Sequence, residues 1–181
     1  MRARNSKRLV IDADVVCASS NKDVQDPRPI NCRDFLKEVL SRNYRVVLTK
    51  EINDEWKRHR SGFALEWRTS MDARRRVDRI DPPEYDELQD KVTNTADNEN
   101  EIEVMQKDLH LLEAAIETDK TIISLDETVR ELFARATQQV GEIRGIIWVN
   151  PDMTTEEQPI TWLQNGAPSE AHRQLSAYST Q

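Results

Sequence analysis

Between residues 102 and 136, the spacing of the apolar positions changes twice. Apolar residues first recur at steps of three and four, the spacing of one helical face: Ile102, Met105, Leu109, Leu112 and Ile116. Residues 121–125 (TIISL) then form a short apolar run rich in β-branched side chains, which predicts a buried parallel strand. Helical spacing returns from Val129 to Ala136. The stretch therefore predicts a helix, a strand and a second helix.

Further apolar runs predict three more strands, over residues 8–12, 45–49 and 145–149. Helical patterns separate these runs, so strands and helices alternate along the chain. This alternation predicts an α/β fold with three layers, in which a central parallel sheet has helices on both faces. In open sheets of this kind, ligands bind outside the carboxyl ends of the strands.

Local signals suggest where several helices begin. Residues 21–30 contain two prolines and are predicted to be a loop, with a helix starting after it at Asn31 or Asp34. Thr49 suits the N-cap of a helix that carries Glu55 and Trp56.

The 181 residues are sufficient for one main domain, predicted over residues 1–150. Residues 60–100 are an unusually long segment between two predicted elements, interpreted as a helical and loop insertion. Its last part, residues 90–100, has few apolar residues and is predicted to be a mobile loop. Residues 151–181 are predicted to be a C-terminal extension that packs on the domain, with a last short helix over 170–178.

Composition limits the function classes. The net charge of −7 argues against a broadly basic nucleic-acid surface, and the 33% of charged residues indicates exposed helices around a compact sheet. Cys17 and Cys32 predict reduced thiols in a cytoplasmic protein, with Cys17 packed as a small apolar residue. No apolar run is long enough for a signal sequence or a membrane span.

Carboxylates follow the predicted strands. Asp12 and Asp14 end the first strand, where two such groups repel each other unless a cation or a raised pKa relieves them. A metal-binding role for one of them is therefore favoured over two structural roles. Asp126 ends another strand, and either caps the next helix or belongs to a site. Glu55 and Asp108 lie on predicted helices, and periodicity alone makes Glu55 a solvated charge.

The order of these acids resembles that of the PIN-domain nucleases. The family's motifs map onto VIDAD (Asp12), LTKEINDEW (Glu55), KDLHLLEAA (Asp108) and ISLDETVRELF (Asp126), and the likeness covers residues 8–149. Each motif is weak alone, whereas four in the same order with matching strand and helix context are more specific. The resemblance implies a PIN-like fold over residues 1–150 and a catalytic, metal-binding role for the four acids.

The chemistry implied by the resemblance is metal-dependent hydrolysis of RNA. Clustered carboxylates prefer hard divalent cations, so the expected cofactor is one or two Mg²⁺ or Mn²⁺ ions. Such ions activate an attacking water and stabilise the departing oxyanion. The sequence has no His/Cys zinc spacing and no glycine-rich phosphate loop.

Two positions depart from the family pattern. Many relatives carry a small hydroxyl or amide residue where this chain has Asp14. Asp14 is therefore either a further candidate metal ligand or a residue that contacts the metal ligands. Glu127 adds a charge next to Asp126. Thr49 and Glu127 are expected to contact the ligands rather than the metal.

Charge is divided within the 60–100 region and its flanks. Residues 57–79 have a net charge of +5, and Trp56, Phe63 and Trp67 lie next to or among them, whereas residues 81–107 have a net charge of −7. Pro82–Pro83 separates the two halves. Arginines near aromatic residues suit phosphates and unstacked bases. The candidate RNA-binding residues are Lys50, Arg58, Arg74, Arg75 and Arg76. Alternatively, the arginines pair with the acidic half.

Two other functions compete with the nuclease hypothesis. Asp12-Ala13-Asp14 also matches the first motif of haloacid-dehalogenase-type phosphatases, with Asp12 as nucleophile and Asp14 as general acid and base. That interpretation leaves Glu55 and Asp108 unexplained, and its required lysine has only Lys120 as a poor candidate. An inactive PIN scaffold that binds proteins is the other alternative, against which the four intact acids argue.

The resemblance also has implications for partners. Single-stranded RNA or structured RNA loops are the expected substrates. Many PIN proteins are toxins held inactive by a protein partner, and many are dimers, so an inhibitory partner of the toxin–antitoxin type and a homodimer are further expectations. No membrane partner is expected.

Overall fold

A computed structural model describes residues 6–59 and 61–178, and within them a five-stranded sheet forms the centre of the fold. All four strand pairings are parallel, and the spatial order is β3-β2-β1-β4-β5. The strands are β1 (Arg8–Ile11), β2 (Arg45–Leu48), β3 (Val77–Arg79), β4 (Thr121–Ile123) and β5 (Ile147–Val149). The three-layer α/β/α class predicted from the sequence is confirmed.

Helices surround the sheet. Their bounds are α1 (Ala13–Ala18), α2 (Pro27–Ser41), α3 (Lys50–Arg58), α4 (Gly62–Ala73), α5 (Asp86–Thr93), α6 (Glu99–Ile116), α7 (Glu127–Ala136) and α8 (Pro159–Gln164). Helix α2 packs against α1, α4 and α8, whereas α6 packs against α5 and α7. This division follows from right-handed crossovers, because the chain crosses the sheet in one direction through β1, β2 and β3 and then returns to β4.

The order of the strands fixes where a site can form. From β1 the chain builds outward to β2 and β3 on one side, and β4 and β5 lie on the other side. The connections therefore diverge between the carboxyl ends of β1 and β4, and this divergence leaves a crevice there. Asp12 directly follows β1, and Ser124 directly follows β4.

Local side-chain caps explain why several helices begin where they do. The Thr49 hydroxyl accepts a hydrogen bond from the Ile52 amide at 3.2 Å, as its predicted N-cap role requires. Ser61 caps α4 in the same way. Helix α2 begins at Pro27, earlier than the predicted Asn31 or Asp34, because a proline at the first helical position is compatible with helix geometry.

The segment over residues 60–100 differs from the expected insertion. It supplies the edge strand β3, in which Val77 pairs with Val46 and Arg79 with Leu48. The predicted loop over 90–100 is mostly helical, since α5 extends to Thr93 and α6 begins at Glu99. The segment is thus part of the sheet rather than an addition outside it.

The aromatic side chains next to the basic residues of 57–79 belong to the core. Trp56, Phe63 and Trp67 are buried, and the two indole N–H groups donate to backbone carbonyls of Ile11 and Leu36. They are therefore not available to stack on RNA bases, which corrects that part of the sequence-based interpretation.

The C-terminal residues pack on α2 through α8 and on β5 and α7 through the residues that follow. Trp162 and Leu163 of α8 are buried, as expected, and the Tyr44 hydroxyl donates to the Leu163 carbonyl at 2.6 Å. Gln174 forms an antiparallel bridge with Ile147. Two short 3-10 helices, Ala171–Arg173 and Leu175–Ala177, replace the single predicted helix, and a third lies at Gly141–Ile143.

Two further predictions concern the cysteines and membranes. Cys17 is exposed and Cys32 is buried, so the expected packing of Cys17 is wrong. None of the helices in residues 6–59 and 61–178 combines the length and the apolar character that a membrane span requires.

Candidate active site

Ser124 links two carboxylates at the crevice between β1 and β4. Its hydroxyl lies 2.8 Å from Asp12 Oδ2 and 3.1 Å from Asp14 Oδ2, and it accepts a hydrogen bond from the Asp126 amide at 3.1 Å. A hydroxyl has one proton, so it can donate to only one of the two aspartates at a time. The serine therefore holds both carboxylates close together without neutralising either.

Asp14 is half-buried beside another carboxylate. Burial and the neighbouring charge of Asp12 raise its pKa to about 8, although hydrogen bonds from the Leu125 amide and Ser124 oppose the shift. Its Oδ1 atom is buried and has no hydrogen-bond partner among the described residues. A buried acceptor of this kind is a ready ligand for a cation or a proton.

Asp12 lies beside Asp14 and is itself buried. Burial raises its pKa, the hydrogen bond from Ser124 opposes that effect, and the charge of Glu55 adds to it. Asp12 also occupies the N-cap position of α1, but its contact with the Asp14 amide is long, at 3.5 Å. Capping alone is a weak explanation for a carboxylate in this position.

Asp108 reaches the same crevice from α6, which packs across β1 and β4. Burial, followed by the charge of Asp12, raises its pKa to about 7, and Asp126 and Glu55 add to the shift. These mutual effects indicate that the four acids named from the sequence lie within electrostatic range of one another.

Glu55 differs from the aspartates because it has a partner. Its Oε2 atom lies 3.1 Å from Nε2 of His110, a side chain that is only 11% exposed. Burial would raise the pKa of Glu55, but the hydrogen bond and charge of His110 outweigh it and lower that pKa. Burial likewise acts to lower the pKa of His110, and Glu55 reverses the direction.

His110 was not identified from the sequence. It lies two residues after Asp108 on α6, and its partner is 55 positions earlier in the chain. A lone histidine on a helix carries no periodic signal, and only the packing of α3 against α6 brings the pair together.

Asp126 has a structural role at this site. Its Oδ1 atom accepts a hydrogen bond from the Val129 amide at 2.9 Å, so it caps α7 as one interpretation of the sequence predicted. Its charge still acts on Asp108. Both roles considered for Asp126 are therefore compatible with its position.

A cavity of about 490 Å³ opens above the acids. Its lining includes Asp12, Asp14, Glu55 and Asp108 together with the basic groups Arg58, His59 and Lys107. A larger groove of about 840 Å³ shares Glu55, Arg58 and Lys107 with this cavity and extends past Thr49 and Lys50 to Pro82–Pro83. Of the RNA-binding candidates named from the sequence, Arg58 thus lines the cavity above the acids, whereas Lys50 lines the groove that shares Glu55 with it.

The side chains are compatible with a bound Mg²⁺ or Mn²⁺ ion. In the part of the chain that the structure describes, no three His, Cys, Asp or Glu side chains are arranged as a complete metal site. Mg²⁺ does not require such a cage, because it keeps several waters and is commonly bound through one or two carboxylates. The free Oδ1 atom of Asp14 and the raised pKa values of its neighbours fit that mode of binding.

Arg74, Arg75 and Arg76 lie elsewhere. They immediately precede β3, which places them where the parallel strands begin, here called the amino edge of the sheet. The acids lie on the opposite side, where the strands end, here called the carboxyl edge. Arg76 donates to the Leu40 carbonyl at 2.7 Å, and none of the three forms an ion pair within residues 6–59 and 61–178. The alternative interpretation, in which they pair with the acidic half, is therefore not supported, and their predicted contact with RNA phosphates stays a prediction.

Among the described residues, the side chains of Glu127 and Thr49 make no hydrogen bond to the candidate metal-binding carboxylates. The Glu127 carboxylate accepts hydrogen bonds from Asn150 Nδ2 at 2.9 Å and from the Tyr178 hydroxyl at 2.8 Å, so it faces the C-terminal residues. Its predicted contact with the ligands is therefore wrong. Thr49 acts through the helix that carries Glu55, which it caps.

The lysine named for the phosphatase interpretation lies away from the site. Lys120, the candidate lysine, directly precedes β4 and therefore lies at the amino edge of the sheet, away from Asp12.

Comparison with known proteins adds no family assignment. No protein-family model matches this chain, and no curated protein matches it either. The resemblance to the PIN-domain nucleases therefore depends on the acids and on their positions.

Proposed function

We propose that this protein is a Mg²⁺- or Mn²⁺-dependent endoribonuclease of the PIN type, which hydrolyses phosphodiester bonds of RNA. One observation carries the proposal: Asp12, Asp14 and Asp108 gather at the topological switch point with raised pKa values and form no ion pair among the described residues. The charge of His110 only partly opposes the pKa shifts of Asp12 and Asp108. Such a cluster is unfavourable for folding, and a divalent cation is the group that would stabilise it.

The chain's residues have distinct roles in this proposal. Asp14 would hold the ion together with Asp12 or Asp108, with Glu55 facing its water shell and Asp126 contributing its charge from the start of α7. A bound ion supplies an activated water and neutralises charge on the phosphoryl oxygens. Loading the ion displaces protons from Asp14 and Asp108, so binding strengthens as the pH rises toward 8.

Basic residues around the cavity supply the contacts with RNA. Arg58 and Lys107 line both the cavity and the groove, and Lys50 lines the groove. Their positions suit phosphates on either side of the reacting bond, where such contacts fix the position of the strand without reading its sequence. We therefore favour single-stranded RNA or structured loops as substrates.

The family resemblance and the thiols suggest a biological setting. Unpaired Cys17 and Cys32 fit a reducing cytoplasm. An inhibitory protein partner of the toxin–antitoxin type and a homodimer accompany the PIN hypothesis. A PIN scaffold used only for binding would have no use for a carboxylate cluster that destabilises the fold.

A direct assay separates the candidate enzymes. The purified protein with Mn²⁺ is incubated with a single-stranded RNA and, separately, with a small phosphomonoester. The proposal predicts internal cleavage of the RNA that EDTA abolishes, with little phosphate released from the monoester. Phosphomonoesterase activity that Asp14→Asn removes, without RNA cleavage, would establish the phosphatase instead. Asp34→Asn, at an exposed position on α2, is the control for the substitution itself.

A further inference from the structure

His110 and Glu55 connect two helices at the wall of the site. Nε2 of His110 lies 3.1 Å from Oε2 of Glu55, and the glutamate side chain is 26% exposed. Glu55 lines both the cavity above the acids and the larger groove, whereas His110 lines only the groove. The histidine therefore contacts the carboxylate from the groove, although it remains within electrostatic range of Asp12 and Asp108.

Both helices are firmly anchored, so this bond has a defined geometry. Helix α3 is capped by Thr49, and Trp56, next to Glu55, is buried with its indole N–H bonded to the Ile11 carbonyl at 3.0 Å. Helix α6 packs on β1 and β4. A glutamate side chain has three rotatable bonds and would otherwise sample several rotamers toward the open cavity.

The pair resembles the arrangement of Asp14. One oxygen of Asp14 is held by Ser124 and the Leu125 amide, and the other oxygen has no partner among the described residues. In Glu55, Oε2 is held by His110, and Oε1 makes no hydrogen bond within residues 6–59 and 61–178. In each carboxylate, one oxygen sets the orientation and the other remains available.

We infer that His110 is a positioning residue, which holds the Glu55 carboxylate through Oε2 so that Oε1 is left for the cation and its water shell. The inference rests on the proposed metal-dependent function and adds a residue that the family resemblance does not supply. Groups that orient metal-binding side chains commonly contribute about 10–100-fold to metal affinity.

The test measures Mn²⁺ affinity by calorimetry or by the electron paramagnetic resonance signal of free Mn²⁺. His110→Leu removes the hydrogen bond while keeping an apolar side chain of similar size, and His110→Gln keeps an N–H donor near the position of Nε2. We expect His110→Leu to weaken Mn²⁺ binding about 10-fold and His110→Gln to restore most of the loss. His172→Leu is a matched control, because His172 lies 3.6 Å from Glu170 on the exposed C-terminal segment and should leave binding unchanged.

A double-mutant cycle shows whether His110 acts through Glu55. Glu55→Gln should weaken Mn²⁺ binding, and adding His110→Leu should weaken it no further, because coupled residues are not additive. Additive losses, or a His110→Leu protein with a lowered melting temperature and wild-type Mn²⁺ affinity, would overturn the inference and make His110 a structural bond between helices. If the wild-type protein neither binds Mn²⁺ nor cleaves RNA, the proposed function itself fails.

Discussion

Acidic residues at the amino edge and at the carboxyl edge of the sheet have different partners. At the amino edge, Asp119 accepts hydrogen bonds from the Arg8 amide at 2.7 Å and from the Arg8 guanidinium at 3.0 Å. Arg45, at the start of β2, pairs with Asp78 of β3. Burial would raise the pKa of Asp119, but its bonds with Arg8 outweigh burial and lower it. Here each acid has its own arginine.

At the carboxyl edge, the acidic residues lie close to one another. Asp12, Asp14 and Asp108 all have raised pKa values, because burial and like charges act in the same direction. The basic groups in the cavity lining, Arg58 and Lys107, form no ion pair with these aspartates in the described part of the chain. The neighbours of a carboxylate, rather than its residue type, therefore distinguish a structural acid from a candidate catalytic one.

The largest expected effect comes from exchanging a carboxylate for an amide at each edge. Asp12→Asn should reduce RNA cleavage by about a thousandfold or more, because it removes a charge that holds the cation. The fold should persist, since asparagine is as good an N-cap as aspartate. Steady-state cleavage rates and melting curves measure both effects.

Asp119→Asn is the matched exchange at the amino edge. It should leave cleavage unchanged and lower stability by about 1 kcal/mol, as expected for a partly exposed ion pair. If Asp119→Asn abolished cleavage while Asp12→Asn did not, the distinction between the edges would be wrong.

The dependence of stability on pH should differ between metal-free and metal-loaded protein. The pKa values of Asp14, about 8, and Asp108, about 7, lie above the ordinary value of 3.8, so the folded state binds more protons than the unfolded state between these limits. Their contribution is therefore present below about pH 4 and lost as the pH rises through 7 and 8. Urea unfolding of EDTA-treated protein should show falling stability from pH 5 to pH 8.

Two additions sharpen this test. Mn²⁺ should restore stability at pH 8, because a ligand that binds only the folded state stabilises it by RT ln(1 + [L]/Kd). Asp14→Asn should flatten the decline in metal-free protein. A stability that rises steadily from pH 5 to pH 8 without metal would mean that the acids are neutralised by something within the chain.

Basic residues should also divide by edge. Replacing Arg58 and Lys107 with alanine should weaken RNA binding and flatten its salt dependence by about 1.4, that is, about 0.7 for each lost phosphate contact on a single strand. Replacing Arg74 and Arg75, which are exposed at the amino edge, should change neither quantity for a short RNA. Binding curves at several salt concentrations provide the measurement, and equal effects from both pairs would contradict the assignment.

The smallest expected effect concerns Glu127. Tyr178→Phe removes the hydroxyl that donates to Glu127 at 2.8 Å, and should lower stability by about 1 kcal/mol without affecting cleavage. Chemical denaturation measures the first quantity and an RNA assay the second. A large loss of cleavage would mean that Glu127 belongs with the catalytic acids after all.

Much of this architecture could be predicted from the sequence, because the buried strands are short β-branched runs that polar turns and helices interrupt. Edge strand β3 was missed because Val77, Asp78 and Arg79 are only partly buried or exposed and carry charges, so they give no apolar run. Because β3 was not predicted, the position of Arg74, Arg75 and Arg76 relative to the acids could not be predicted either. A segment directly before a parallel strand must lie at the amino edge, which becomes evident only once the strand is known.

The candidate site could be predicted in part. Asp12 and Asp126 follow predicted strands, and the order of the acids supplied Glu55 and Asp108. His110 and Ser124 could not be identified, because their roles depend on contacts with residues 55 and 112 positions away. The direction of the Glu127 side chain likewise depends on the C-terminal segment, which no local pattern places beside it.

The central claim is that the acids at the carboxyl edge share a divalent cation. A crystal soaked in Mn²⁺ and measured for anomalous scattering tests it directly. We expect an anomalous peak about 2 Å from Asp14 Oδ1 that is also in coordination range of Asp12 or Asp108, with Glu55 Oε1 facing its water shell. A well-ordered soaked crystal with no peak at these acids, or with a peak only at surface carboxylates, would contradict it.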